Sequence, residues 1–167
     1  IENNIPINKK DLIENIKYIS NNPKGDIYEI LADFGEVSLE NPDLMFLTNV
    51  KGNVIFKNKA NINLVSDFAN FNTKTFETTF IKNVKVSRED EIITGEELYL
   101  VLDEDENISE KDLNKEKNLL RMSRNVIFKK PGYSLNADVF EIDLITKNSK
   151  IYMNDKMKKI KGITSIK

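Results

Sequence analysis

The chain has 167 residues, with 25 Lys and Arg against 27 Asp and Glu, a formal net charge of −2 and a hydrophobic fraction of 40%. That suits one domain with its own core, and the near-balance of charge leaves no global basic field for nucleic acid. Neither Cys nor His occurs, which excludes a disulfide framework, thiolate or imidazole metal ligation, and Ser–His or Cys–His nucleophilic catalysis. No run approaches the roughly 18–20 apolar residues of a membrane span. The first residue is Ile1 rather than Met, so the expectation is a fragment from which a signal or anchor segment is missing.

In chain order, residues 1–12 form an N-terminal segment. "DLIENIKYIS" at 11–20 fits a helical stripe through Leu12, Ile13, Ile16 and Ile19. The turn signal "NNPKG" and the following "DIYEILAD" favour a hairpin instead. From there period two dominates. Leu44, Phe46, Val50, Val54 and Phe56 share one parity, as do Phe76, Phe80, Val84 and Val86, and Leu120, Met122, Val126 and Phe128. Lys51, Lys57, Glu77, Lys85, Arg121 and Lys129 take the other parity. Such alternation predicts strands with one buried and one wet face. Ile55 and Ile127 interrupt the polar side.

The chain also repeats itself. "NVIFK" stands at 53–57 and at 125–129, with "NVKV" at 83–86. After each comes an apolar–any–small–acidic mark: Leu64-Val65-Ser66-Asp67, Ile93-Thr94-Gly95-Glu96 and Leu135-Asn136-Ala137-Asp138. An earlier copy, Ile30-Leu31-Ala32-Asp33, precedes the first "NV". Across each mark the apolar phase slips by one: Leu64 and Ser66 give way to Ala69 and Phe71, and Ile93 and Gly95 to Leu98, Leu100 and Leu102. An uncorrected slip turns every later side chain to the wrong face. The pattern therefore predicts a β-bulge or sharp corner at each acid, eased by the small neighbour.

Residues 103–118, "DEDENISEKDLNKEKN", break the repeat. Asp103, Asp105 and Asn107 hint at a calcium loop, but Ile108 stands where such a loop needs Gly and Asn114 where it needs Glu. A solvated insertion is the expectation, and no metal site. Lys156, Lys158, Lys159 and Lys161 end the chain with a basic run whose default reading is a solvated terminus.

The stretches "YEILADFGEVSLENPDLMFLTNVKGNVIF", "LVSDFANFNTKTFETTFIKNVKV" and "LNADVFEIDLITKNSKIYM" resemble the periplasmic lipopolysaccharide-transport proteins of the OstA-like superfamily, and within it the LptC family in its alphaproteobacterial form. The resemblance spans about residues 13–160. It departs in the long acidic insertion and in the absence of the family's anchor helix. It implies an all-β fold, an open twisted antiparallel β-jelly roll with an apolar groove, over 13–160, followed by a tail at 161–167. It implies a non-enzymatic subunit without cofactor, in the periplasm and anchored to the inner membrane. Such a subunit accepts lipopolysaccharide from an ABC transporter with LptF/LptG-like membrane subunits, met through the N-terminal edge. It passes the lipid to LptA through the C-terminal edge, at Ile151, Met153 and Met157.

On this resemblance the groove residues are Val54, Phe56, Leu64, Phe71, Phe80, Val84, Val86, Leu98, Leu100, Val126, Phe128, Leu135 and Ile142, with Lys82 and Arg124 as candidate phosphate contacts at the rim. Alternation by itself makes an ordinary closed core, and Lys82 and Arg124 by themselves read as solvated strand ends. A soluble LptA-type bridge is the alternative. A carbohydrate-active enzyme is remote, because Asp33, Asp67, Glu96 and Asp138 recur at equivalent structural places rather than as one carboxylate pair.

Overall fold

The computed structural model describes residues 12–21, 24–102 and 118–164. Residues 103–117 of the acidic insertion, the first eleven residues and the last three lie outside the described residues. The alternating segments form ten strands: β1 (Leu12–Asn21), β2 (Ile27–Val37), β3 (Leu44–Ile55), β4 (Ile62–Asn72), β5 (Thr78–Arg88), β6 (Glu91–Val101), β7 (Leu119–Lys130), β8 (Tyr133–Asp143), β9 (Ser149–Tyr152) and β10 (Lys161–Thr164). Each of the first eight pairs antiparallel with its sequence neighbour, in one open sheet ordered β1 to β8. The first segment is thus a strand, hairpinned onto β2 from Leu12↔Glu36 to Asn21↔Ile27. Pro131 and Gly132 (φ 76°) turn β7 into β8, the pairing a type II turn requires.

The far side of β8 carries two short strands laid end to end. β9 pairs its second half, Ile142↔Ser149 to Val139↔Tyr152. β10 pairs its first half, Lys161↔Asn136 to Thr164↔Tyr133. The sheet therefore extends into residues expected as a tail, and residues 153–160 cross over between the two pieces. Ile151 packs against the core. Met157, expected inward, is 90% exposed.

A single row crosses all eight long strands and divides the sheet into two halves. On even strands the row holds Asp33, Asp67, Glu96 and Asp138. On odd strands it holds residues with left-handed backbone: Asn15 (φ 55°), Asn49 (φ 55°), the pair Lys82–Asn83 (φ 67° and 52°) and the pair Arg124–Asn125 (φ 62° and 54°). Asn reaches this region more readily than any other residue but Gly. Asn49 Nδ2 donates to Asp33 Oδ2 at 3.0 Å, Asn83 Nδ2 to Asp67 Oδ2 at 2.8 Å, and Asn125 Nδ2 to the Glu96 carboxylate. Asp138 accepts the main-chain N–H of Asn154 at 2.9 Å.

The slip of phase falls on this row, as the sequence pattern predicts. Tyr28, Ile30 and Ala32 are buried before Asp33 and Gly35 after it; Leu64 and Ser66 before Asp67, Ala69 and Phe71 after. The bulge itself lies elsewhere than expected. Between Val65 and Phe68 of β4 the facing β5 carries one residue more, from Lys85 to Ile81. β6 likewise faces an extra residue in β5 and again in β7, and β8 faces one in β7. The extra residues are the left-handed pairs Lys82–Asn83 and Arg124–Asn125, so the acids oppose the bulges rather than form them. In β3 the slip also reverses an expected orientation. Leu47 is buried and Met45 packs on the core, whereas Leu44 is only partly buried and Phe46 is 41% exposed.

The two identical pentapeptides are not equivalent in the fold. Asn125 opens its copy on the row, whereas Asn53 sits four residues beyond it, donating to Glu29 Oε2 at 2.7 Å. The true counterpart of Asn83 and Asn125 is Asn49.

Because Asn83 both adopts a left-handed backbone and bonds Asp67, Asn83→Val strains the former and removes the latter. It should destabilise the protein by about 1–2 kcal/mol, with Asn83→Gly costing less because the backbone is then unstrained. Urea unfolding with an unchanged m-value checks this; equal stability of the Val and Gly variants would contradict it.

Candidate functional site

The sheet folds along the polar row so that its two halves face each other. Along β8, Phe140 lies five residues beyond Leu135, the partner of Phe128. Five residues of extended strand span about 16 Å. Yet the Phe128 and Phe140 rings stack with centroids 6.5 Å apart. Tyr18 from one half likewise meets Phe71 and Phe76 of the other at 5.0 and 5.2 Å. At Gly52 the absent side chain leaves room for Phe80, whose ring edge lies 3.6 Å from where a Cβ would stand.

The space between the halves is apolar throughout. Of the thirteen groove residues expected from the sequence, twelve are buried, and Leu135 is partly buried against them. Phe80, Leu98, Leu120 and Met122 have no exposed surface at all. The few polar groups inside are neutral or paired: Thr78 is fully buried, and the Ser66 hydroxyl donates to the Phe68 carbonyl at 2.8 Å. Among the described residues a cavity of about 20 Å3 lies between Tyr28, Ile30 and Leu64 on one half and Phe80, Leu100 and Leu120 on the other. That is space on the scale of one water molecule.

The outer ends of the halves are clasped. Lys147, after β8, places its Nζ 2.6 Å from Asp26 Oδ2, before β2, and 3.9 Å above the centre of the Phe56 ring. Asp26 Oδ1 also accepts the main-chain N–H of Lys57 at 3.2 Å. Both charges are largely buried, so each depends on the other. This clasp was not legible in the sequence, since the two residues are 121 positions apart.

Lys82 and Arg124 do not point into the interior. They belong to the outer bulges, bonded to Asp67 at 3.5 Å and Glu97 at 3.4 Å, and Lys82 lies 5.7 Å over the exposed Phe68 ring. The left-handed backbone turns them outward, as solvated residues at the row. Also outside the groove, Glu29 is held below the ordinary glutamate range, chiefly by the Asn53 hydrogen bond and then by Lys17. Apolar residues on the outside include Phe34, Phe46 and Phe68 on adjacent strands, and Leu12, Ile13 and Ile19 along β1. Among the described residues no group of Asp and Glu is placed to hold a metal ion. No helix among them is long and apolar enough to cross a membrane.

Together these features define an all-β protein whose single folded sheet encloses an apolar interior. No protein-family model matches the sequence, and no curated protein matches it.

Replacing Lys147 by Met keeps the contact with Phe56 but leaves the Asp26 charge buried without its partner. Lys147→Met should cost about 3 kcal/mol, the lower end for breaking a buried pair, because Asp26 keeps its main-chain bond. The same variant should bind a hydrophobic dye more strongly at its loosened mouth. A cost below about 0.5 kcal/mol in urea unfolding, the scale of an exposed pair, would contradict the clasp.

Proposed function

We propose that this chain is a lipopolysaccharide-transport subunit of the LptC type. In this reading it is a non-enzymatic periplasmic protein held at the inner membrane. It accepts lipopolysaccharide from an ABC transporter and passes it to LptA through its apolar interior. The observation that carries the reading is the interior itself. Both halves of the sheet face it with Val, Leu, Ile, Phe and Met, and the Asp26–Lys147 clasp stands at the mouth. The strands are long enough, at eleven or twelve residues for β2 to β8, to run alongside an acyl chain.

Strand pairing supports an interior that opens. Among the described residues every ladder joins neighbours in the order of the sheet, and none crosses from one half to the half facing it. Parting the halves therefore breaks side-chain contacts and the Asp26–Lys147 pair, while the ladders among the described residues stay intact. The loss is offset by the guest: each buried methylene contributes roughly 0.8 kcal/mol, so a twelve-carbon chain contributes on the order of 10 kcal/mol.

The free edges support handover to partners by strand addition. Among the described residues β1 forms a strand ladder on one side only, with β2, and this reading gives its other side to the transporter's LptF/LptG-like subunits. The opposite edge, given to LptA, consists of β9 and β10 rather than one strand through 149–160. Ile151 and Met153 remain at that edge.

Val84 and Lys85 are neighbours in β5 with opposite faces, buried and exposed respectively. A photo-crosslinking residue at Val84 should capture lipopolysaccharide, and one at Lys85 should not. Equal capture at both, or capture at Lys85 alone, would remove the interior from consideration as the lipid path.

A further inference from the structure

We propose that a second site lies on the outer side of the corner beside the C-terminal edge, and that it takes the phosphomonoester head of an anionic amphiphile. The site is a groove of about 580 Å3 between β7, β8 and the crossover 153–160, within the size range of small-molecule sites. Its floor is a row fixed by strand pairing: Ile127 opposite Asn136, and Asn136 opposite Lys161. Asn136 is exposed, so this row lies on the outer face, away from the enclosed interior. The crossover adds Met153, Lys158 and Lys159. The proposal therefore stands on this groove alone and does not depend on what the interior carries.

Three observations select an anion. First, Lys158, Lys159 and Lys161 converge on one groove in a chain whose overall charge is −2. Second, none of these lysines forms an ion pair among the described residues, and the three of them outweigh the one carboxylate that shares the groove, Asp138, which accepts the Asn154 N–H. Third, the crossover is a folded turn. Met157 N–H donates to Asp155 Oδ1 at 2.9 Å and Lys158 N–H to the Asp155 carbonyl at 3.0 Å. The turn holds Lys158 and Lys159 on the same groove as Lys161.

Ammonium groups are compact charges with three donors each. Three of them suit a phosphomonoester, which carries close to two charges and three strong acceptor oxygens, better than a carboxylate with one charge and two oxygens. The apolar part of the ligand follows from Ile127 and Met153, which give methylenes a surface beside the charged wall. A phosphorylated lipid and free phosphate share the head chemistry, and the test separates them.

The test titrates the protein with dodecyl phosphate below its micelle concentration, with dodecyl maltoside as the neutral control and inorganic phosphate as competitor. Methyl NMR reports the location. Dodecyl phosphate should shift the Ile127 and Met153 methyls, leave Val84 and Leu98 of the interior unmoved, and bind more weakly as salt rises. The variant Lys158→Gln/Lys159→Gln lies outside every strand, so its circular dichroism should be unchanged while its affinity falls about tenfold or more. Competition by inorganic phosphate supports the anion site with the head alone sufficient. Lysine-dependent binding without such competition supports the site with the amphiphile as its ligand. Wild-type affinity in the folded double variant, equal binding of dodecyl maltoside, or shifts confined to Val84 and Leu98 would overturn the proposal. The last result would leave the lipid reading of the interior standing.

Discussion

One constraint organises this fold: a strand cannot bend sharply and keep its apolar side chains on the same face without changing phase. The chain meets it eight times along one row. On the odd strands the bend is made by left-handed residues, Asn15, Asn49, Lys82–Asn83 and Arg124–Asn125, and Asn suits the role because its short amide tolerates that backbone. On the even strands an acid stands opposite, and Asp33, Asp67 and Glu96 accept the Asn side-chain amide of a neighbouring strand. The result is a polar seam on the outside of a corner whose inside is apolar. Without the change of phase, Phe71, Leu98 and Phe140 would face solvent and the two halves would have nothing to bury against each other.

Two step sizes satisfy the same constraint. Three residues separate the flanking inward positions where a single residue makes the turn, as from Ala32 to Gly35 or Leu47 to Val50. Four separate them where a left-handed pair does so, as from Phe80 to Val84 or Met122 to Val126. A three-step strand beside a four-step strand must mismatch by one, and the ladders of β5 and β7 with their neighbours show that mismatch. β2, β3 and β4 all take three steps and pair without it.

Much of this was legible in the sequence because it is periodic. The strands, their inward set and the position of the phase slip follow from alternation, and the all-β open sheet follows from strands separated by turn signals. What was misread has physical reasons. Both Asn49-Val50 and Asn53-Val54 match the repeat, and literal identity with 125–129 favours the wrong one. The offset of 16 residues from Asp33 to Asn49, equal to that from Asp67 to Asn83, marks the right one. Lys82 and Arg124 are exposed, as solvated strand ends would be, although the strands continue past them. Met45 and Leu47 lie before the slip in β3, so parity counted back from Val50 assigned their places to Leu44 and Phe46. The Asp26–Lys147 clasp has no local signal at all, since it exists only once the halves close.

Closure and opening are the two sides of this design. The seam sets where the sheet folds, the apolar halves bring it shut, and the clasp holds the mouth. A carrier reading of the interior requires the mouth to part when a lipid enters. The most direct measurement is the distance between spin labels introduced by Lys59→Cys and Lys150→Cys, exposed positions on opposite halves of a chain that has no cysteine of its own. The account predicts a single short distance in the free protein and a longer one when lipopolysaccharide is added. An unchanged distance while the lipid is demonstrably bound would contradict it.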